Sequence, residues 1–232
     1  MREIIFDTET TGFDPKTGDR LVEIGCIELV DRRETGQTFH AYFNPERDMP
    51  AAAEAVHGLS IAFLSDKPLF ATRVDDLMEF LGDAPLIAHN AAFDFGFVNA
   101  ELARAGRPAL DMARMLCTVQ MARKLHPGAK HSLDALCTRY GIDRSHRVKH
   151  GALLDAELLA HLYIEMTGGR QIGLGLAAEA PARAATSAPT FTPAAAPQAF
   201  REPRPHAATP AELARHAEFV AKLTQPLWHD SP

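Results

Sequence analysis

Ile4-Ile5-Phe6-Asp7-Thr8-Glu9 is the stretch from which the fold is read. The apolar run Ile4–Phe6 reads as a buried strand, part of a segment spanning residues 2–7, with two acids at its end. Residues two apart on a strand share a face, so Asp7 and Glu9 project from one spot. Charge concentrated in this way costs free energy unless something positive sits between the carboxylates. Two later segments carry the same chemistry: Asn90-Ala91-Ala92-Phe93-Asp94 and His150-Gly151-Ala152-Leu153-Leu154-Asp155. Hard divalent cations such as Mg²⁺ or Mn²⁺ take oxygen ligands and would neutralise such a cluster. Four carboxylates converging from separate segments suit a two-metal site acting on phosphate. The residues read as a metal-dependent phosphodiesterase.

Composition is compatible with that chemistry. The 232 residues accommodate one domain of ordinary size plus a tail, and a hydrophobic content of 46% supports a buried core. A formal net charge of −6 gives no basic footprint, so nucleic-acid contact is expected to be local. Cys26, Cys117 and Cys137 have no metal-ligand spacing and an odd count, and read as reduced, mostly buried thiols of a cytoplasmic protein. The chain enters a strand at once, without a charged leader and apolar region, which argues against secretion. No apolar run approaches the roughly 20 residues of a membrane span.

Periodicity predicts strands at 2–7, 20–31, 37–43, 85–89 and 113–117, and helices near 70–82, 92–105, 118–125, 131–140 and 152–166. Three strands followed by alternating helices and strands imply a mixed five-stranded sheet with flanking helices. This order is compatible with a ribonuclease-H-like α/β fold, which pattern alone does not choose. The texture changes after Gly168-Gly169, so the folded domain is read as residues 1–168. Residues 177–209 are dominated by Ala and Pro and predict a flexible linker. Order returns at Thr209-Pro210, a helix start with Thr as N-cap and Pro at the first position. A helix over 211–224 would set Leu213, Ala217, Val220 and Leu223 on one side, followed by the single tryptophan, Trp228. Residues 210–232 therefore read as a docking tail.

The three motifs resemble those of the DEDDh 3′–5′ exonucleases: Asp7-Thr8-Glu9-Thr10-Thr11-Gly12, His89-Asn90-Ala91-Ala92-Phe93-Asp94, and His150 five residues before Asp155. The related DEDDy class would want a tyrosine four residues before that aspartate, where Gly151 stands. Their order, with Val56-His57-Gly58-Leu59 between the first two, is similar to the epsilon proofreading subunits of bacterial DNA polymerase III. The resemblance covers about residues 2–167, and a linker with a terminal docking peptide fits it too.

What this implies is specific. Asp7, Glu9, Asp94 and Asp155 would hold two Mg²⁺ or Mn²⁺ ions around the terminal phosphodiester of a DNA 3′ end. His150, on a loop before the helix carrying Asp155, would be the general base, a task suited to imidazole with its ordinary pKa of about 6.5. The products would be nucleoside 5′-monophosphates. Thr10, Val56, His57, His89 and Phe93, together with Asp7, Glu9 and Asp155, would bind the terminal nucleotide. Alternatives stand beside three of these: Phe93 as core, His57 as a turn residue before Gly58, and His89 as a local hydrogen-bonding cap. The basic stretch around Arg144 and Arg147 reads either as a guide for the phosphate backbone or as a solvated loop.

Residues 169–176 contain Gln171-Ile172-Gly173-Leu174-Gly175-Leu176, which resembles the clamp-binding peptides of bacterial replication proteins, with Gln171, Leu174 and Leu176 as anchors. Leu213, Val220, Leu223 and Trp228 would meet the polymerase catalytic (alpha) subunit. A small accessory subunit over the exonuclease domain is left open. Two rivals remain: a free-standing exonuclease trimming RNA ends, and an inactive binding module on the same fold. The catalytic motifs do not separate DNA from RNA. The tail favours the replicase, and the intact acids and His150 argue against inactivity.

Overall fold

The computed structural model describes residues 1–145, 147, 149–169 and 208–222. The chain divides into two units, residues 1–177 and 178–232. In the first, β1 (Arg2–Thr10), β2 (Leu21–Val30) and β3 (Arg33–Tyr42) form an antiparallel meander, while β4 (Leu86–Ala88) and β5 (Met115–Cys117) add in parallel beyond β1. The sheet order is β3-β2-β1-β4-β5. Among the described residues of this unit, seven α-helices accompany it: α1 (Ala51–His57), α2 (Ile61–Leu64), α3 (Phe70–Leu81), α4 (Ala91–Arg104), α5 (Thr118–Leu125), α6 (Leu133–Tyr140) and α7 (Ala152–Met166).

Strand alternation decides which helix each side chain of β1 meets. Ile4 and Phe6 point to the cluster holding Val74 and Leu77 of α3 and Phe95 and Val98 of α4. Ile5 points the other way, to Ala156, Leu159 and Tyr163 of α7. Each fully buried side chain of this kind contributes about 1.5–3 kcal/mol, so the central strand is sealed on both faces. Asp7 and Glu9 continue the Ile5 side, toward α7. Thr8 continues the Phe6 side, toward α4.

One glycine controls how closely α7 approaches. Gly25 of β2 lies directly opposite Asp7, and a Cβ there would sit 2.3 Å from the Leu153 backbone. Without that atom the first turn of α7 rests on the sheet, which brings Asp155 against Asp7.

The helices at 70–81, 91–104, 118–125, 133–140 and 152–166 fall within two residues of the sequence reading, and the five-strand sheet agrees with it. Three details correct it. β1 runs on to Thr10, pairing Glu9 with Glu23, so the acids lie within a strand and not at its end. β3 begins at Arg33, because the tight turn at Asp31 and Arg32, both at positive φ, lets pairing start four residues early. The segment before residue 70 holds two short helices that were not expected. His57 is not a turn residue but the last residue of α1, with Gly58 at φ 78 as its left-handed cap. Of the cysteines, Cys26 and Cys137 are buried, Cys117 is only partly so, and all three are free.

The described part of the second unit, residues 208–222, holds α8 (Pro210–Val220). Thr209 caps it and Pro210 takes the first position, as the sequence predicts, and Thr209 and Glu212 also close a capping box. The helix ends at Val220, short of the expected 224, with residues 221 and 222 in a turn. Leu213 and Phe219 are more than half exposed and Val220 is buried. Gln171, Leu174, Leu176, Leu223 and Trp228, and almost all of the linker, lie outside the described residues. Among the described residues, no helix is long and apolar enough to cross a membrane.

Candidate active site

Asp7, Glu9, Asp94, His150 and Asp155 all line one cavity of about 280 Å³, together with His89, Phe93 and Arg147. The two strand acids come from β1. Asp94 and Asp155 each stand in the first turn of a helix, α4 and α7, where the helix dipole favours a carboxylate. Asn90 caps α4 in the left-handed conformation, φ 69 and ψ 44, which a short polar side chain tolerates. Thr8, on the far side of β1, donates to Asp94 Oδ1 at 2.8 Å and fixes that carboxyl. Donor atoms of Glu9, His150 and Asp155 lie within 4.8 Å of one another.

The electrostatics are those of acids crowded together. Burial, then the charges of Asp94, Glu9 and Asp155, raise Asp7 well above the usual carboxylate range. Burial and the neighbouring Asp155 and Glu23 push Glu9 up to about 8. Burial pushes Asp94 to about 7, against the hydrogen bond from Thr8. Each is easier to ionise if a cation stands among them. The donors are carboxylate oxygens with one imidazole nearby, a set that suits hard divalent ions.

His150 stands on the loop before α7, nearly half exposed, and its backbone N–H donates to the Val56 carbonyl at 3.3 Å. That bond ties the loop to the end of α1. Nδ1 of His150 lies 3.2 Å from Asp155. His89 is set by the Thr118 hydroxyl, 2.9 Å from its Nδ1, and burial lowers its pKa. The local-cap alternative for His89 thus describes its bonding, while its ring still lines the cavity.

A second cavity of about 550 Å³ adjoins the first, sharing Thr8, Glu9 and Phe93. Thr10, Val56 and His57 line it. The Thr10 hydroxyl donates to the Gly12 carbonyl at 2.6 Å, leaving its lone pairs as acceptors. Val56 is nearly half exposed. His57 is buried, accepts from the Leu59 N–H at Nδ1, and carries at Nε2 a buried side-chain nitrogen without a partner among the described residues. Phe93 is half-buried: its ring packs 4.9 Å from that of Phe97, so it serves the core and lines both cavities at once.

Sequence reasoning missed two residues here and misplaced a third. Gly25 carried no signal, since its role depends on a helix that arrives more than a hundred residues later. Phe13, directly after the first motif, is 90% exposed at the second cavity, and an exposed aromatic beside a charged motif was the available clue. Arg147 is neither a solvated loop residue nor turned outward to a backbone. Its guanidinium is buried against Asp155 and Asp134.

Comparison with known proteins bears on the same segments. The sequence profile of the RNase_T exonuclease family matches residues 4–163. The chain belongs to this family. Within it, the DNA polymerase III subunit epsilon of Rickettsia felis is 55% identical over 174 residues, covering 74% of this chain and 76% of the relative. Exonuclease X in complex with 5′ overhanging duplex DNA is 27% identical, with a TM-score of 0.54 over 71% of this chain and 90% of that one. The nuclease domain of 3′hExo, a DEDDh family member bound to rAMP, has a TM-score of 0.61 at 18% identity, over 72% of this chain and 91% of that one. That likeness concerns the fold: a ribonuclease-H-like mixed sheet with flanking helices. The family match makes the chain a nuclease, and its acidic cavity lies inside the matched segment.

Proposed function

We propose that this chain is the proofreading 3′–5′ exodeoxyribonuclease of a replicative DNA polymerase, removing mispaired 3′-terminal nucleotides as 5′-monophosphates. The observation that carries the reading is the convergence of Asp7, Glu9, Asp94, Asp155 and His150 on one cavity, with a nucleotide-sized cavity beside it. The crowded carboxylates of the cavity fit a pair of divalent cations, Mg²⁺ or Mn²⁺, with Asp7, Glu9, Asp94 and Asp155 as ligands. Bound there, the ions would supply activation of the attacking water and stabilisation of the leaving 3′ oxygen.

The protein's own groups do the rest. His150 takes the proton of the attacking water. Its attachment to the Val56 carbonyl couples the base to the wall of the nucleotide cavity. There the unpartnered His57 Nε2 meets a sugar or phosphate oxygen of the terminal nucleotide, and Thr10 offers its lone pairs. Val56 and Phe93 pack on the sugar and base. The exposed ring of Phe13 offers a stacking face for the next base, a sequence-tolerant contact.

The assembly is read from the relatives and the tail. A relative named as a polymerase III subunit favours a replicase component over a free-standing RNA-trimming enzyme. In this reading residues 210–232, with Leu213, Val220, Leu223 and Trp228, bind the polymerase catalytic subunit, and residues 171–176 touch the sliding clamp. The test is size-exclusion of the full chain, and of a version ending at residue 176, with the cognate polymerase. Stable co-elution of the full chain alone is expected. Co-elution of neither would return the reading to a free-standing exonuclease.

A further inference from the structure

Arg147 is the one Lys or Arg that lines the acidic cavity among the described residues. Its fork takes both oxygens of Asp155: Nε donates to Oδ1 at 2.5 Å and Nη2 to Oδ2 at 2.6 Å. Nη2 also reaches Nδ1 of His150 at 2.7 Å, and Nη1 donates to Asp134 Oδ1 at 2.7 Å. A single guanidinium therefore engages one carboxylate read as a metal ligand and the imidazole read as the base. Such a fork is the strong, shape-matched form of a charge-assisted pair. It persists at every working pH, because arginine keeps its proton. Its charge also acts on Asp7 and Glu9, holding both lower than they would stand without it.

We propose that Arg147 is an internal counter-cation that competes with the divalent ions for Asp155 and, once displaced, is held at the cavity wall by Asp134. It acts through Asp155 and His150 and is a positioning residue. The proposal rests on the reading of the four carboxylates as a metal site. Without ions, the guanidinium supplies the positive charge that lets the acids sit together. With ions, the carboxylate charge is spent on them and the fork loses its partner. Asp134, about half exposed and already bonded to Nη1, stands at the cavity edge as the fixed end of that movement. Displacement also releases Nδ1 of His150, so loading the site and freeing the base become one event.

Competition and simple structural support differ in sign, and a metal titration of the full chain reads that sign. Mn²⁺ is titrated calorimetrically into the parent, Arg147→Met, Arg147→Lys and Asp94→Asn, and each is melted in chelator and in saturating Mn²⁺. If Arg147 competes, Arg147→Met binds Mn²⁺ about tenfold more tightly, the equivalent of one charged hydrogen-bonded contact removed. It also melts lower than the parent in chelator and gains more on adding Mn²⁺. Arg147→Lys, which keeps the charge and loses the fork, tightens binding in the same direction by less, and carries the test if the Met variant does not fold. Equal or weaker Mn²⁺ binding in the Arg147 variants overturns the proposal. Asp94→Asn separates the two readings. Unchanged Mn²⁺ binding there removes the metal site, and this proposal with it. Lost binding there, without tightening in the Arg147 variants, removes only the role given to Arg147.

Discussion

Glu9 is the residue whose surroundings say most about the cavity. Its carboxyl is buried, faces Asp155 and pairs across the strands with Glu23, so folding raises it from 4.5 to about 8. Between those values the folded chain binds a proton that the unfolded chain has released. Its contribution to stability is therefore fully present below 4.5 and is lost as the pH rises through about 8. Asp94, raised from 3.8 to about 7, acts in the same direction. In chelator, the melting temperature of the protein should fall as pH rises from about 5 to 8 by this linkage, and saturating Mg²⁺ should flatten the slope. A melting temperature that rises over that range would contradict the crowded-acid account. Glu9→Gln should lessen the slope while abolishing digestion of a 3′ end. His150 carries a different expectation. His150→Ala should slow cleavage by about 10²-fold, in the range of a lost general base, with Mn²⁺ affinity nearly kept. A general base imposes its own pH dependence on the rate, and the variant should lose that dependence. An unchanged pH–rate profile would take the base role from His150.

Between elements, the decisive contact is α7 on β2. Gly25→Ala would drive a methyl into the Leu153 backbone at 2.3 Å, and backbone of a packed helix has no easy way to yield. The substitution should cost about 2 kcal/mol or more and displace Asp155 from Asp7, with activity falling further than stability. Denaturant unfolding beside a cleavage assay checks this. Full activity in Gly25→Ala would mean that the close approach does not set the site. The same contact explains what was legible beforehand. Asp7, Glu9, Asp94, Asp155 and His150 stood out because acids after an apolar run, and a histidine five residues ahead of another acid, have local signatures. The long helices announced themselves through periodicity. The extension of β1 to Thr10 did not, because polar residues there are held by pairing with β2. Helices α1 and α2 are only seven and four residues long, too short for a periodic pattern to emerge. The inward turn of Arg147 depends on Asp134 and Asp155 meeting from separate helices, which no local pattern encodes.

For the whole molecule, the proposed division of labour places catalysis in the first unit and polymerase docking in the last residues. Deleting 210–232 should leave digestion of free single strands unchanged and remove co-elution with the polymerase. Trp228→Ala alone should weaken that association by about 2 kcal/mol if it is an interface anchor. Stoichiometric co-elution of the truncated chain would show that the tether lies elsewhere. The central claim, an end-directed proofreading nuclease, is tested most directly on a primer–template labelled at the primer's 5′ end, with Mg²⁺ and a mispaired 3′ terminus. The account predicts stepwise shortening from the 3′ end, release of 5′-mononucleotides, faster removal of the mispaired than the paired terminus, and no cleavage of a circular single strand. Cutting of the circle, or release of nucleotides from the primer's 5′ end, would contradict it.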